Sequence, residues 1–449
     1  MSPVTDASGP ELRRTIGVGR ATAMVAGIII GASIFVQPSQ VTGQVPSATG
    51  VLAVWLGAGL LTMIGALVIA ELASAWPKTG GVYVFLKRAY SPGVAFLWGW
   101  AMFWTMHTGI VAAIAMVFAK YVGSFVTLDE MQKRLVAIGA VVALSALNYV
   151  GVRYASAAQA ILTAIKVLAI VAIIGIAFTM GGAAHAHAAA APVASMPPLT
   201  LRAIVNAMIA GLFAFGGWHM VSYSAEETID PVRTIPRSLI LGTLTVTVLY
   251  VALNAAYLYV LPIAQVSASD RVAADLAGAI SPGGGSAQLI SALVILSTLG
   301  AANGVLLAGP RVYLAMANDG VLFRWLGTVH ARFRTPHRAI VLQAAWAAVL
   351  IATNTFRALF TRVVYTEWVF FALLASALFF LRTRPDYSPV YRLRYHRLLA
   401  GLFVACSATI VVTQIVTDPK ESITGLLLVL SGAPVYYLWT RQRNQPPRT

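Results

Sequence analysis

The chain has 449 residues, of which 59% are hydrophobic and 10% are charged, and its formal net charge at pH 7 is +16. Soluble domains carry about one quarter charged residues, so this composition, with a mean hydropathy of +0.79, excludes a soluble globular protein and predicts an integral membrane protein. The Lys and Arg residues are spread along the chain rather than gathered in one patch, which argues against nucleic-acid binding.

Twelve apolar segments are long enough to cross a bilayer, whose hydrocarbon core of about 30 Å takes about 20 helical residues. The first of them lacks a cleavage site of small residues and is expected to remain as a helix. We predict an all-α fold, because a helix satisfies its own backbone hydrogen bonds in lipid. The segments begin near residues 20, 50, 94, 135, 156, 201, 238, 287, 338, 363, 397 and 422.

Most of the 31 Lys and Arg residues lie on one side of the membrane if the N-terminus is cytoplasmic. The positive-inside rule therefore predicts that both termini are cytoplasmic, in a plasma membrane of the bacterial inner-membrane kind. No soluble domain is predicted. The expected organisation is a tail (1–19), a first repeat of segments 1 to 5 (20–180), an Ala-rich extracytoplasmic loop (181–200), a second repeat of segments 6 to 10 (201–383), segments 11 and 12 (384–440), and a second tail (441–449).

Two of the segments contain a break in corresponding positions. Segment 1 is interrupted at Gly31-Ala32-Ser33 and segment 6 at Gly216-Gly217, and each is the first helix of a set of five. Paired interruptions of this kind predict an inverted-repeat transporter whose substrate site lies where both helices unwind. The simpler alternative is that these glycines only permit close packing of helices.

An interrupted helix exposes backbone N–H and C=O groups, which must have partners at membrane depth. The N-terminus of a half-helix suits a carboxylate and the C-terminal carbonyls suit an ammonium group. An α-amino acid presents both groups on one carbon. We therefore expect the amides of Ala32, Ser33 and Ile34 to hold a carboxylate, and carbonyls near Ile29 and Phe213 to hold the amino group.

Three stretches resemble the amino acid, polyamine and organocation (APC) transporter family: IAELASAWPKTGGVYVFLKRAYSP (69–92), FAFGGWHMVSYSAEETIDPVRTIPRSL (213–239) and STLGAANGVLLAGPRVYLAMANDGVLFRWLGTVHARFRTPHRAI (297–340). The second stretch and SGAPVYYLW (431–439) are most similar to the L-type amino acid transporter branch. The resemblance implies a five-plus-five inverted repeat with two further helices, and transport by alternating access. It also implies that Phe213 closes over the substrate, beside Phe215, Gly216 and Trp218.

The chain departs from the family pattern at two places. The family's first break is usually Gly-Ser-Gly, whereas Ser33 fills the third position here and is expected to narrow the pocket. Animal L-type light chains carry a cysteine between segments 3 and 4 that links a heavy chain, and residues 121–134 contain none. The single cysteine, Cys406, lies inside segment 11. We therefore expect no disulfide-linked partner.

Lys166 lies in the middle of segment 5, where an unpaired ammonium costs at least a few kcal/mol. The resemblance implies that Lys166 replaces the sodium ion that bridges segments 1 and 8 in related transporters, and hence that transport is sodium-independent. The family often has a small hydroxyl on segment 8 where Val305 stands, so that contact is expected to be missing. The plainer alternative is a lysine that snorkels to the interface.

Three further ionisable side chains are candidates for contact with the substrate or for proton transfer. Glu367 in segment 10 could reach a substrate side chain, titrate during transport, or form an ion pair with Arg362. His107 and His219 could also titrate, although membrane histidines are more often packing residues. His185 and His187, in the Ala-rich loop, are expected to be solvated rather than metal ligands.

The main hypothesis is a sodium-independent amino acid transporter for small or neutral substrates, operating as an exchanger. A proton-coupled symporter of amino acids or polyamines and an amino-acid-sensing receptor of the same fold remain as alternatives. The sequence contains no nucleophile-and-base constellation, HExxH motif or P-loop, so we expect no enzymatic activity, no cofactor and no metal site.

Overall fold

The computed structural model describes residues 12–45, 47–190, 199–281, 285–353 and 356–443. Within these ranges the protein is all-α. The helices are α1 (Val18–Ile29), α2 (Ser33–Gln44), α3 (Ala48–Ala75), α4 (Val82–Ala89), α5 (Pro92–Ala101), α6 (His107–Val122), α7 (Glu130–Val150), α8 (Val152–Met180), α9 (Gly182–Ala190), α10 (Leu201–Ala214), α11 (Pro231–Val260), α12 (Ile263–Ala268), α13 (Val272–Ile280), α14 (Ser286–Asn318), α15 (His337–Thr353), α16 (Phe356–Leu381), α17 (His396–Thr417), α18 (Pro419–Leu430) and α19 (Gly432–Arg443). A π turn (Met102–Met106) joins α5 to α6, and 3-10 segments follow at Trp218–Glu227 and Arg324–Gly327.

The length and apolar character of these helices support a protein that crosses the membrane many times. In the described part of the chain, nine helical stretches are long and apolar enough to span a bilayer, and α1 with α2 forms one more, bent by 48°. Two shorter apolar helices are α15 and the Tyr365–Leu381 part of α16. Each predicted segment begins near the start of one of these helices, which confirms a multi-pass all-α protein.

Several helices begin where a polar side chain caps the first turn. Ser47 and Thr200 accept hydrogen bonds from backbone N–H groups of α3 and α10. Ser91 caps α5, whose first residue is a proline. Asp129 and Gln132 form a reciprocal capping box at the start of α7. Such caps satisfy N–H groups that a helix cannot pair internally, so they help to fix the boundaries of the spanning helices.

The first interrupted helix lies in the interior of the bundle. α1 packs against α8, α11 and α14, and α10 packs against α2 and α3. Trp55 of α3 contacts Tyr250 of α11 edge to face, with 5.7 Å between the ring centroids. This packing covers both helix interruptions with neighbouring helices, as membrane depth requires.

The Ala-rich stretch differs from its predicted loop. Residues 182–190 form α9, which packs against α11, while residues 191–198 lie outside the described part of the chain. Alanine is the strongest helix former, and this explains the helix. His185 stacks on Tyr259, with 4.1 Å between the ring centroids, and its Nδ1 lies 2.9 Å from the Tyr259 carbonyl oxygen.

Candidate functional site

The break in the first spanning helix lies where the sequence predicts it. α1 ends at Ile29 and α2 begins at Ser33. The Gly31 N–H donates to the Ile29 carbonyl over 2.8 Å, which turns the chain sharply between the two helices. No side chain caps α2 at Ala32, so the first N–H groups of α2 lack the usual side-chain acceptor.

The second break occupies Phe215 to Gly217, between α10 and the 3-10 segment. Gly217 has φ +90°, in the left-handed region, which glycine adopts at no steric cost. A Cβ atom at this position would overlap the side chain of Ile28 in α1. Gly217 therefore permits both the turn in the second interrupted helix and its close approach to the first.

The two breaks meet at one cavity of about 100 Å³. Its wall is largely apolar. Residues 110 to 117 of α6 supply Ile110, Ile114 and Val117, and α16 supplies Trp368 and Phe371 beside the carboxyl group of Glu367. The cavity therefore combines residues of two interrupted helices with a small, mostly apolar space. The predicted site residues that line it are Ile29, Gly31, Ala32, Ser33, Phe213, Gly216, Trp218 and Glu367.

Four predicted site residues lie outside this lining. Ile34 is fully buried in α2, and Phe215 packs against Tyr250 with 5.0 Å between ring centroids. Lys166 lies behind the first break, on α8. His107 is buried in a cluster with His219 and Glu367. The structure thus brings the two breaks and Glu367 together, and places these four side chains around them.

Lys166 binds the carbonyl end of α1. Its Nζ donates to the Gly27 carbonyl over 2.7 Å, to the Ile30 carbonyl over 2.5 Å and to the Ser297 carbonyl over 3.3 Å. An ammonium group has three N–H donors, so these three carbonyls account for all of them. The side chain is 2% exposed. Lys166 therefore joins α8 to α1 and α14 at the level of the first break.

The hydroxyl group on α14 is supplied by Ser297 rather than at the position of Val305. Ser297 Oγ lies 3.2 Å from the carbonyl oxygens of both Ile30 and Gly31. Val305 lies two turns further along α14 and lines the cavity. Position 305 offers no hydroxyl, as its residue type dictates, and Ser297 is a further hydroxyl-bearing residue of α14 that the sequence had not singled out.

Tyr250 of α11 connects the two breaks, a role that its position in the sequence does not predict. Its hydroxyl lies 3.0 Å from the Ile29 carbonyl and 3.2 Å from the Ala214 carbonyl, so its one O–H can donate to either. These carbonyls stand at the C-terminal ends of α1 and α10. A tyrosine in an apolar helix gives no signal of this role in the sequence, whereas Ser297 could have been found as a hydroxyl-bearing residue in segment 8.

Replacing Tyr250 with phenylalanine is expected to lower the free energy of unfolding by about 1 kcal/mol, because one intramolecular hydrogen bond contributes about that much and the carbonyls at both breaks lose their shared donor. Chemical unfolding of the purified protein in detergent would measure this change. Tyr154→Phe is the matched control, since Tyr154 is exposed on α8. Equal stability of the Tyr250→Phe and Tyr154→Phe variants would contradict the role of the Tyr250 hydroxyl.

A buried ion pair lies at the far end of the 3-10 segment. Arg311 of α14 contacts Glu227 through two hydrogen bonds of 2.8 Å, and neither side chain is more than 1% exposed. The Glu227 carbonyl also accepts hydrogen bonds from the N–H groups of Thr15 and Ile16, which precede α1. Isolated backbone pairing between Ile16 and Thr228 completes the contact. This end of the second interrupted helix is thereby tied to the start of the first.

Substituting Glu227 with glutamine is expected to lower the free energy of unfolding by about 3–5 kcal/mol, because it leaves the buried Arg311 charge without its partner. The control is Glu226→Gln in the adjacent position. Glu226 pairs with Lys78 at 3.6 Å and both side chains are exposed, so the loss should be at most about 1 kcal/mol. Chemical unfolding of the purified variants in detergent would test this, and similar losses for the two variants would refute it.

Comparison with known proteins agrees with this architecture. The sequence profile described as "Amino acid permease" matches residues 16–438. The chain is 30% identical to the serine/threonine exchanger SteT of Bacillus subtilis (strain 168), over 95% of this chain and 97% of the relative. It is 29% identical to large neutral amino acids transporter small subunit 2 of Homo sapiens, over 98% and 82%. It is 28% identical to b(0,+)-type amino acid transporter 1 of Homo sapiens, over 96% and 89%.

The profile and the relatives cover nearly the whole chain, including both breaks, the cavity and the buried ion pair. A match of this extent establishes the family rather than a shared motif. The chain belongs to the amino acid permease family, within the L-type branch of the APC superfamily, and is a transporter rather than an enzyme.

Proposed function

We propose that this permease is a sodium-independent exchanger of small or neutral L-amino acids that works by alternating access. In this proposal twelve helices cross the membrane, ten of them as two inverted repeats of five, with both termini in the cytoplasm. The observation that carries it is a cavity lined by residues of both helix interruptions, with apolar side chains of α6 in the remaining wall.

The first N–H groups of α2 would bind the substrate carboxylate. These groups lie at the positive end of the helix dipole, next to the cavity-lining residues Ala32 and Ser33. The Ser33 hydroxyl adds a donor at the place where the family pattern has glycine. Backbone recognition of this kind suits every α-amino acid and leaves selectivity to the side-chain wall.

Carbonyl groups at the ends of α1 and α10 would bind the substrate ammonium group. The Ile29 carbonyl already accepts hydrogen bonds from the Gly31 N–H and the Tyr250 hydroxyl, and a carbonyl oxygen has two lone pairs. The ammonium group can therefore use Ile29 only if Tyr250 turns toward Ala214. The Phe213 carbonyl is the second expected acceptor, and the Phe213 side chain would close over the substrate.

The size and polarity of the cavity support small or neutral substrates. Its volume of about 100 Å³ lies below the roughly 300–1,000 Å³ of pockets for drug-sized ligands. Ile110, Ile114 and Val117 form an apolar side, which offers no hydrogen bond to a polar side chain. These residues would contact a short aliphatic group.

The position of Lys166 supports independence from sodium. Its ammonium group already bridges α1 and α14 through the Ile30 and Ser297 carbonyls, where a cation holds these helices together in related transporters according to the family resemblance. A metal cation at the same carbonyls would be repelled by the lysine charge. The absence of cysteine from residues 121–134 supports function without a disulfide-linked heavy chain.

Glu367 favours a second candidate function. Glu367 is among the residues that line the cavity, so a cationic amino acid or polyamine, or a proton carried during symport, would have an acidic residue in the wall. The two candidates differ in ligand selectivity: the first requires only the amino acid core and a short side chain, and the second requires a positive charge at the far end of the substrate.

Ligand-induced thermal stabilisation of the purified protein tests the proposed site. We expect stabilisation by alanine, serine and threonine. The corresponding amines without a carboxylate, and the N-acetylated amino acids without an ammonium group, should have no effect because each lacks one of the two backbone partners. Stabilisation by lysine or putrescine but not by alanine would overturn the neutral-substrate proposal in favour of the second candidate.

A further inference from the structure

Three ionisable side chains from three different elements meet behind the wall of the cavity. They are His107 at the start of α6, His219 in the 3-10 segment and Glu367 of α16, and one nitrogen or oxygen atom from each lies within 4.8 Å of the others. Both histidines are 0% exposed and Glu367 is 6% exposed. The cluster is therefore buried at membrane depth.

The polar atoms of this cluster lack partners within the described part of the protein. Both ring nitrogens of His107, both ring nitrogens of His219 and Oε1 of Glu367 make no hydrogen bond there. More than 90% of buried polar groups are normally paired, and leaving one unpaired costs about 1–3 kcal/mol. Five such atoms on three residues, with one atom of each residue within 4.8 Å of the others, indicate that a further species completes the cluster.

The surroundings of the two histidines are aromatic. His219 contacts Trp98 and Phe371 edge to face, and His107 lies against the ring of Tyr223. These rings offer no carboxylate to pair with a protonated imidazole. Two fully buried cations elsewhere in the described part of the protein are already engaged, since Lys166 binds three carbonyls and Arg311 binds Glu227. A cation from outside the chain would supply the missing charge for Glu367.

The backbone immediately before His107 departs from a regular α-helix. The π turn at Met102–Met106 ends immediately before it, and such insertions shift the direction of the following side chains and often occur at functional sites. The Thr108 hydroxyl donates to the Phe103 carbonyl over 2.5 Å. This hydrogen bond gives a partner to a carbonyl group within the π turn. The interruption of α5 and α6 thus coincides with the residue that completes the cluster.

We propose that His107, His219 and Glu367 form a binding site for a divalent transition-metal ion such as Zn²⁺, next to the cavity that Glu367 helps to line. Two neutral imidazoles and one carboxylate are a ligand set that Zn²⁺ accepts, and three protein ligands leave a position for water or another ligand. Glu367 lines the cavity, so the site would lie beside it. This site departs from the sequence expectation that the chain holds no metal.

The geometry requires only a modest approach of the three side chains. Zinc bonds of about 2.0–2.2 Å in a tetrahedral site place neighbouring ligand atoms roughly 3.4 Å apart. The corresponding atoms lie within 4.8 Å of one another, so side-chain rotation of the order of 1 Å would bring them into coordination. Bound metal would pin α6, the 3-10 segment and α16 together and is expected to inhibit transport.

Metal binding to the purified full-length protein in detergent tests the proposal without any transport assay. After treatment with chelator, titration with ZnCl₂ should show one tight site per chain by calorimetry and by elemental analysis after desalting. His107→Ala, His219→Ala and Glu367→Gln should each weaken binding by more than about 100-fold, since even the loss of a residue that only supports a ligand costs 10–100-fold.

His330→Ala and His185→Ala are the matched controls, because both histidines lie near the surface and could bind zinc adventitiously. The His330 and His337 rings are 5.1 Å apart. Both control variants should retain the tight site. Loss of binding in either control, or retention of it in the three cluster variants, would overturn the proposal.

X-ray absorption spectroscopy of zinc-loaded wild-type protein covers the case in which a cluster variant fails to fold. The proposal expects two imidazole ligands and oxygen atoms in the remaining positions. A spectrum without two imidazoles would contradict it. No stoichiometric binding at a tenfold excess of ZnCl₂ would also contradict it and would assign the cluster to water or a proton. Either result would leave the amino acid site of the proposed function intact.

Discussion

Replacing Lys166 with alanine is expected to reduce amino acid transport at least 100-fold. Hydrogen bonds to charged groups contribute about 1.5–3 kcal/mol each, and the substitution removes three of them from the carbonyls of Gly27, Ile30 and Ser297. The Ile30 carbonyl would keep only the Ser297 hydroxyl as a side-chain donor. The first break, which we propose binds the substrate carboxylate, would lose the contact that joins it to α8 and α14. Uptake into proteoliposomes measures the effect.

The control for this substitution is Lys120→Ala, because Lys120 is exposed near the end of α6. We expect the control to transport at the wild-type rate. Lys166→Gln keeps two N–H donors without the charge, and should fold more stably than Lys166→Ala while remaining defective in transport. Wild-type uptake by folded Lys166→Ala protein would show that this lysine only fills space.

Replacing Gly217 with alanine is expected to have the second largest effect, a near-complete loss of transport with lower thermal stability. Gly217 has φ +90°, where a side chain costs about 1–2 kcal/mol. The new methyl group would also overlap the Ile28 side chain, which lies in the wall of the proposed site. Transport and thermal unfolding should be measured on the same preparation.

Two further variants separate the contributions at Gly217. Adding Ile28→Ala to Gly217→Ala removes the overlap but not the backbone strain, so the double variant should recover part of its stability. Gly139→Ala, in α7, is the control, because a Cβ atom there meets nothing within 4 Å. It should be neutral or slightly stabilising, since alanine favours a helix over glycine. Equal effects at Gly217 and Gly139 would show that the second break does not require glycine.

The spanning helices could be predicted from sequence because the bilayer limits the backbone conformations that a spanning segment can adopt. A run of apolar residues in lipid must be helical, and the breaks at Gly31 and Gly217 stand out because glycine rarely recurs at matched positions by accident. Lys166 was recognisable for a similar reason, since a charge at membrane depth needs a specific partner. These signals depend on residue type and position along the chain, which the sequence contains.

The contacts around the breaks could not be predicted in the same way. Tyr250 reaches both α1 and α10 because of the rotation of α11 about its axis, and the apolar composition of that helix does not specify this rotation. His107, His219 and Glu367 are separated by more than a hundred residues along the chain at each step, and the π turn before His107 left no recognised pattern. Their convergence depends on three-dimensional packing.

Phe215 shows that closeness to a break in the sequence does not determine where a side chain points. It is adjacent to Gly216 and was predicted to contact the substrate, yet it packs against Tyr250. Close to a break, the direction of a side chain depends on the local turn, and the turn at Gly217 differs from a regular helix. Sequence position near an interrupted helix therefore predicts proximity to the cavity but not orientation toward it.

The most direct test of the proposed exchanger is uptake of a radiolabelled neutral amino acid, such as alanine or serine, into proteoliposomes of the purified protein. Vesicles should be compared with and without unlabelled amino acid inside, in sodium and in choline, and with and without a pH gradient. The proposal expects uptake that requires internal amino acid and is unchanged by sodium. Uptake into empty vesicles driven by an inward proton gradient would contradict it and would make proton symport the mode of transport.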